Sequence, residues 1–102
     1  MELDAYTFVL LRRGPRALEY SDAELEEIQA GHLAFLARMK DEGRMILSGP
    51  FQDQEDETKR GFSVYRTGLD ETKRLLEGDP ALRAGRMSAE VMTWLTPKGA
   101  LE

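Results

Sequence analysis

No cysteine occurs among the 102 residues, and histidine and tryptophan occur once each. The missing thiol excludes disulfide staples, thiolate zinc sites, iron–sulfur clusters and cysteine nucleophiles together. A reducing cytoplasm is therefore the expected location. One histidine without cysteine cannot build the usual nitrogen or sulfur shell of zinc, and no spaced acidic loop of the calcium-hand kind is present, so no metal is expected. No glycine-rich phosphate fingerprint opens a helix and no Gly-x-Ser-x-Gly elbow occurs. The chain is expected to work without a cofactor.

Long apolar runs are also missing: none approaches the ~18 residues that suggest a membrane span. Met1-Glu2-Leu3-Asp4 is acidic where a signal peptide is basic, so neither secretion by that route nor a membrane partner is expected. Positive charge is in deficit, with 14 Lys and Arg against 19 Asp and Glu and a net charge of -5. That balance repels a phosphate backbone unless the basic residues gather on one face, so nucleic acid is not an expected partner. What is present is 41% hydrophobic and 32% charged residues, a globular composition. The length suits one domain, residues 1–102, and holds a core without staples.

Ala5 to Leu11 is rich in β-branched and aromatic residues and stops at Arg12-Arg13-Gly14-Pro15, which predicts a strand. Ser21-Asp22-Ala23-Glu24 forms a capping box, and Leu25, Ile28, Phe35, Leu36 and Met39 recur at helical spacing until Gly43 stops the helix. Met45 to Phe51 predicts a second strand with Pro50 near its end. Gln52 to Lys59 is a polar, acid-rich connection, and Arg60 to Arg66 alternates as a third strand. A second helix opens at Thr67-Gly68-Leu69-Asp70 and closes at Gly78 and Pro80, followed by a short turn from Ala81 to Ala84. Ala89 to Leu95 alternates again and predicts the last strand.

The order β-α-β-β-α-β predicts an α+β fold of ferredoxin-like type, a mostly antiparallel four-stranded sheet with both helices on one face. The first strand is apolar on both sides, Tyr6, Phe8 and Leu10 on one and Thr7, Val9 and Leu11 on the other. Two helices cover only one side, so the other predicts a second copy of the chain and hence a homodimer.

His32 lies four residues after Ile28 and four before Leu36, within the apolar stripe of the first helix, and points toward the sheet. Two readings fit: a core histidine satisfied by a carbonyl or hydroxyl, or a general base held by a carboxylate from another element. Asp79, in Gly78-Asp79-Pro80, is the most singular acid, and it too reads in two ways, as a turn-initiating cap or as that carboxylate. Gly49-Pro50 either brings a ligand close to the end of the second strand or ends the strand at a sheet edge. Arg12, Arg13 and Arg16 read as a solvated basic loop.

These residues together, His32-Leu33, Asp41-Glu42-Gly43-Arg44-Met45-Ile46-Leu47-Ser48-Gly49-Pro50, Gly78-Asp79-Pro80 and Ala84-Gly85, resemble the YCII-related (YciI-like) family over nearly the whole chain. The resemblance implies a ferredoxin-like domain that pairs into a dimeric α+β barrel. It also implies a His–Asp pair in a pocket, which falls on His32 and Asp79. The chemistry assigned in that family includes a dehydrochlorinase of chlorinated hydroxyquinol breakdown, and related dimeric barrels include muconolactone isomerases. This chain departs from the family pattern in the acidic connection Asp53 to Glu57 and in Trp94-Leu95, where a proline followed by an aromatic is frequent.

The first functional expectation is a cofactor-independent lyase or isomerase acting on a small aromatic or lactone-like molecule. His32 moves the proton, Asp79 orients it, and Ser48, Gly49, Pro50, Tyr6 and Phe8 line the substrate. The alternative is a non-catalytic dimeric ligand-binding or accessory domain whose His–Asp contact is structural.

Overall fold

The alternation of the first apolar segment reaches beyond its β-branched centre. In the computed structural model, which describes residues 1–102, strand β1 spans Leu3–Arg13. Helix α1 spans Asp22–Asp41, and its start is set by the capping box: Ser21 Oγ accepts from the Glu24 N–H at 3.2 Å, and Glu24 Oε1 accepts from the Ser21 N–H at 2.9 Å. Two orphan donors of the first turn are thereby satisfied. Its end is set by Gly43, whose φ of 74° is a left-handed conformation that costs a glycine little.

Strands β2 (Met45–Pro50) and β3 (Lys59–Tyr65) come next, then helix α2 (Leu69–Leu76). The segment expected as a short turn forms one helical turn instead, α3 (Pro80–Arg83). Pro80 supplies a helical φ at the first position, where its missing N–H costs nothing, and Asp79 caps it. Strand β4 (Met87–Pro97) is two residues longer at each end than its apolar alternation suggested, because β1 pairs with it from Leu3 to Arg13.

The strands form one sheet in the order β2-β3-β1-β4, and all three neighbouring pairs are antiparallel. This is the ferredoxin-like arrangement, with the helices on one face. On that face Val9 and Leu11 of β1, Met45 of β2 and Tyr65 of β3 pack against Phe35 and Met39 of α1 and Leu76 of α2. Each such burial is worth ~1.5–3 kcal/mol against exposure.

The other face has no helix over it. Tyr6 stands opposite Trp94, and Phe8 opposite Met92. The Tyr6 and Trp94 rings lie 6.3 Å apart, and Phe62 stacks on Phe8 at 5.2 Å and on Phe51 at 5.9 Å. Trp94 and Met92 remain 37% and 40% exposed, so an aromatic surface is left facing outward.

Candidate functional site

Helix α1 carries a glycine in its third turn, where alanine would favour the helix by ~1 kcal/mol. The reason is spatial. A Cβ on Gly31 would stand 2.9 Å from Cγ and 3.2 Å from Cβ of Pro80, so the bare backbone lets α3 press against α1. That approach brings the N-cap of α3 to the residue after Gly31, which is His32.

There the two sequence candidates meet. His32 Nδ1 lies 2.8 Å from Oδ2 and 3.0 Å from Oδ1 of Asp79, with the two side chains 5% and 1% exposed. Asp79 Oδ1 also accepts from the Ala81 N–H at 2.9 Å. The cap and the histidine partner, posed as alternatives from the sequence, are one carboxylate doing both. A carboxylate accepts and does not donate, so Nδ1 carries the proton toward Asp79 and Nε2 presents its lone pair when the ring is neutral. Nε2 has no hydrogen bond within the protein, and it is not among the buried unpartnered atoms, so it keeps access to the cleft beside it.

That cleft, of about 260 Å³, lies between α1 and the β2–β3 edge of the sheet. His32, Leu33 and Leu36 form the helical wall, and Ser48, Gly49 and Pro50 form the strand wall. Four of the seven sequence candidates, His32, Ser48, Gly49 and Pro50, therefore line one cavity. Asp79 stands behind the ring and does not line it. Tyr6 and Phe8 do not line it either, a correction to the sequence expectation. Odd positions of β1 face the helices, as Val9 and Leu11 do, and the even positions Tyr6 and Phe8 must point to the opposite face.

The sequence reading missed Gln29, Ser63 and Arg60, which also border the cleft. Gln29 was findable, since it lies three residues before His32 on the same helical stripe. Ser63 was findable too: it stands opposite Ser48, and two residues from the core residue Tyr65. Arg60 carried no such signal, because a register shift between Leu11 and Arg12 interrupts the β1–β3 pairing beside it.

One further polar atom lies near the pair. The Tyr65 hydroxyl is buried without a hydrogen-bond partner, and burial, with the Asp79 charge as a second cause, pushes its pKa well above the usual phenol value. It stays a neutral phenol through the physiological range. No three His, Cys, Asp or Glu side chains converge as a metal shell, and no helix is long and apolar enough to cross a membrane.

A ferredoxin-like α+β domain with a histidine held by a buried aspartate at a cleft between its first helix and its sheet edge defines the class. Within it, residues 6–95 match the model of the YCII-related domain, and the chain belongs to that family. The fold is shared with the 5-chloro-2-hydroxyhydroquinone dehydrochlorinase TftG of Burkholderia phenoliruptrix AC1100, solved in complex with 2,5-dihydroxybenzoquinone. That match has a TM-score of 0.65 and 22% identity, over 91% of this chain and 96% of that one. A chlorite dismutase mutant of Candidatus Nitrospira defluvii matches at TM-score 0.65 and 15% identity over 96% of this chain, but only 41% of its own. A point mutant of SnoaB, a cofactor-independent oxygenase of Streptomyces nogalater, matches at TM-score 0.52 and 21% identity over 97% of this chain and 99% of that one. No curated protein matches the chain in sequence.

Proposed function

We propose that the cleft is a small-molecule site in which His32 Nε2 moves a proton, with Asp79 as the residue that positions it. The observation that carries this is the buried contact of Nδ1 with both Asp79 oxygens, at 2.8 and 3.0 Å, on a ring whose other nitrogen opens to the cleft. A base needs its far nitrogen held so that one tautomer and one orientation dominate, and this contact supplies both. The imidazolium formed after proton transfer gains an adjacent carboxylate, which lowers the cost of the charged intermediate.

The reaction class is cofactor-independent elimination or isomerisation on a small aromatic or lactone-like molecule. In the elimination on a chlorinated hydroquinol, Nε2 takes a hydroxyl proton and returns it to the chlorine-bearing ring carbon, which gives the keto tautomer. Nε2 then takes the proton of a second hydroxyl, its O–H pair forms a carbonyl, a ring double bond shifts toward that carbon, and chloride departs with the C–Cl pair. The proton then passes from His32 to water. In the isomerisation the same nitrogen returns the proton to another carbon. The shared fold of TftG, a dehydrochlorinase bound to a dihydroxybenzoquinone, makes chlorinated hydroquinols the first substrates to try. Ser48, Gly49 and Pro50 are the proposed substrate contacts, and no metal or cofactor is invoked.

We read residues 1–102 as one such unit, working in the cytoplasm as a homodimer joined through the aromatic sheet face. The second reading, a ligand-binding or accessory domain, is favoured by one observation: Asp79 also caps α3, so the pair has a structural duty without any turnover. Turnover of chlorinated hydroquinols and lactones by the purified protein, set against His32→Gln, decides between them. The enzyme reading expects chloride release or lactone rearrangement that falls at least about a hundredfold in the variant, the range of general acid–base catalysis. Equal turnover by the variant would contradict the base assignment, and binding without turnover would favour the accessory domain.

A further inference from the structure

The basic group Arg12, Arg13 and Arg16, read from the sequence as a solvated loop, is divided by the fold. Arg12 pairs with Asp56 at 3.3 Å and with Glu90 at 2.9 Å, and Arg16 pairs with Glu19 at 3.1 Å. Arg13 has no carboxylate partner, and neither have Arg60 and Arg86. These three border one concavity of about 270 Å³ whose remaining walls are apolar, with Leu18, Leu25 and Met87 among them. Arg60 and Met87 also border the His32 cleft, so the two depressions adjoin.

The fold holds these residues in place. The Arg13 N–H donates to the Thr58 carbonyl at 2.7 Å, and the Gly14 N–H donates to the Arg86 carbonyl at 2.7 Å. Arg86 Nη1 donates to the Leu25 carbonyl at 3.0 Å, which fixes one edge of its guanidinium and leaves other donors free. Three like charges around one depression repel one another, and in a chain of net charge -5 they have not been neutralised by the carboxylates at hand. An oxyanion removes that repulsion and satisfies the forked donors, which match carboxylate and phosphate geometry.

We propose that Arg13, Arg60 and Arg86 form an oxyanion subsite adjoining the His32 cleft, so that the ligand is a small organic anion with its charged end on the arginines. The shared chemistry is a carboxylate or a phosphate ester on an apolar body, whose uncharged end reaches His32. The assignment rests on reading the His32 cleft as the ligand site and adds the substrate class to it.

Titration of the whole protein with benzoate, phenyl phosphate and phenol, monitored by the NMR signals of the arginine Nε–H groups and of the His32 ring, tests it. The subsite predicts that benzoate or phenyl phosphate shifts both the arginine and the His32 signals, and whichever binds more tightly identifies the oxyanion. Phenol, lacking the charge, binds at least about tenfold more weakly. Arg13→Gln with Arg60→Gln, both exposed side chains without a side-chain hydrogen bond, weakens the anion about tenfold, and the lysine pair restores part of it. Phenol and benzoate shifting His32 equally, with silent arginines, overturns the subsite and leaves the His32 cleft standing. Anion binding with arginine shifts but a silent His32 supports an anion site and separates it from the cleft, overturning the shared-ligand assignment. Failure of all three probes to bind at millimolar concentration overturns both.

Discussion

One sheet presents two unlike faces, and the contrast comes from which neighbour each was given. On the helix side Val9, Leu11, Tyr65 and Met45 are buried, and one buried pair of ionisable side chains, His32 and Asp79, sits at the margin of that apolar layer. On the open side the same strands carry Tyr6, Phe8, Phe62, Met92 and Trp94, with stacked rings, and farther along the partly exposed Arg12–Glu90 ion pair at 2.9 Å. Burial gives the His32–Asp79 pair a fixed geometry on the first face, whereas the ion pair of the second is open to solvent and the rest of that face is aromatic and apolar area. The proposed proton chemistry therefore lies on the covered face, and the proposed self-association on the bare one.

The largest expected effect lies on the covered face. Asp79→Ala strips both the Ala81 cap and the His32 partner, leaving two donors unsatisfied. A loss of about 2–4 kcal/mol in urea unfolding is expected, together with loss of turnover. An unchanged midpoint would mean that neither bond contributes to the folded state. The bare face should respond in the opposite way. Trp94→Glu with Met92→Glu is expected to weaken self-association by about thirtyfold or more in light scattering while each chain keeps its fold. A monomeric wild-type protein would contradict self-association through this face.

Gly31→Ala sharpens the first face. The alanine favours the helix by ~1 kcal/mol but meets the rigid Pro80 ring, so α3 must move outward. Net stability should change by no more than about 1 kcal/mol, while turnover falls out of proportion because Asp79 moves with Pro80. Equal, small effects on both would remove the close approach as the positioning device.

Tyr65→Phe is the smallest change. It removes a buried hydroxyl without a partner and should be neutral or stabilising by up to about 1 kcal/mol. In the wild type the unfolded phenol ionises near pH 10 and the folded one only above it. Stability is then complete below that value and declines as pH rises through it. The alkaline decline in a denaturation series should be shallower in the variant, and identical slopes would contradict the burial.

Much of the fold was legible because its signals are local. Ser21 with Glu24 started α1, Gly43 ended it, and the alternation of β1 showed a strand apolar on both sides. His32 and Asp79 were each visible as candidates, but neither periodicity nor turn chemistry joins residues 47 positions apart. A family resemblance named the pair, and the contact itself arises from tertiary packing through Gly31 and Pro80. Tyr6 and Phe8 were misplaced for a physical reason: alternation separates two faces without saying which one the helices cover. Arg60 and Arg86 were illegible as site residues, since their meeting with Arg13 depends on how β1, β3 and β4 end beside one another.

Asp79 is proposed to hold the His32 Nδ1 proton and to leave Nε2 as the basic atom facing the cleft. Long-range proton–nitrogen NMR of the sole histidine, at mildly alkaline pH, reads it directly. A protonated Nδ1 and a bare Nε2 are expected in the wild type, with that preference lost in Asp79→Ala. A proton on Nε2 in the wild type, or the same tautomer in both proteins, would contradict it.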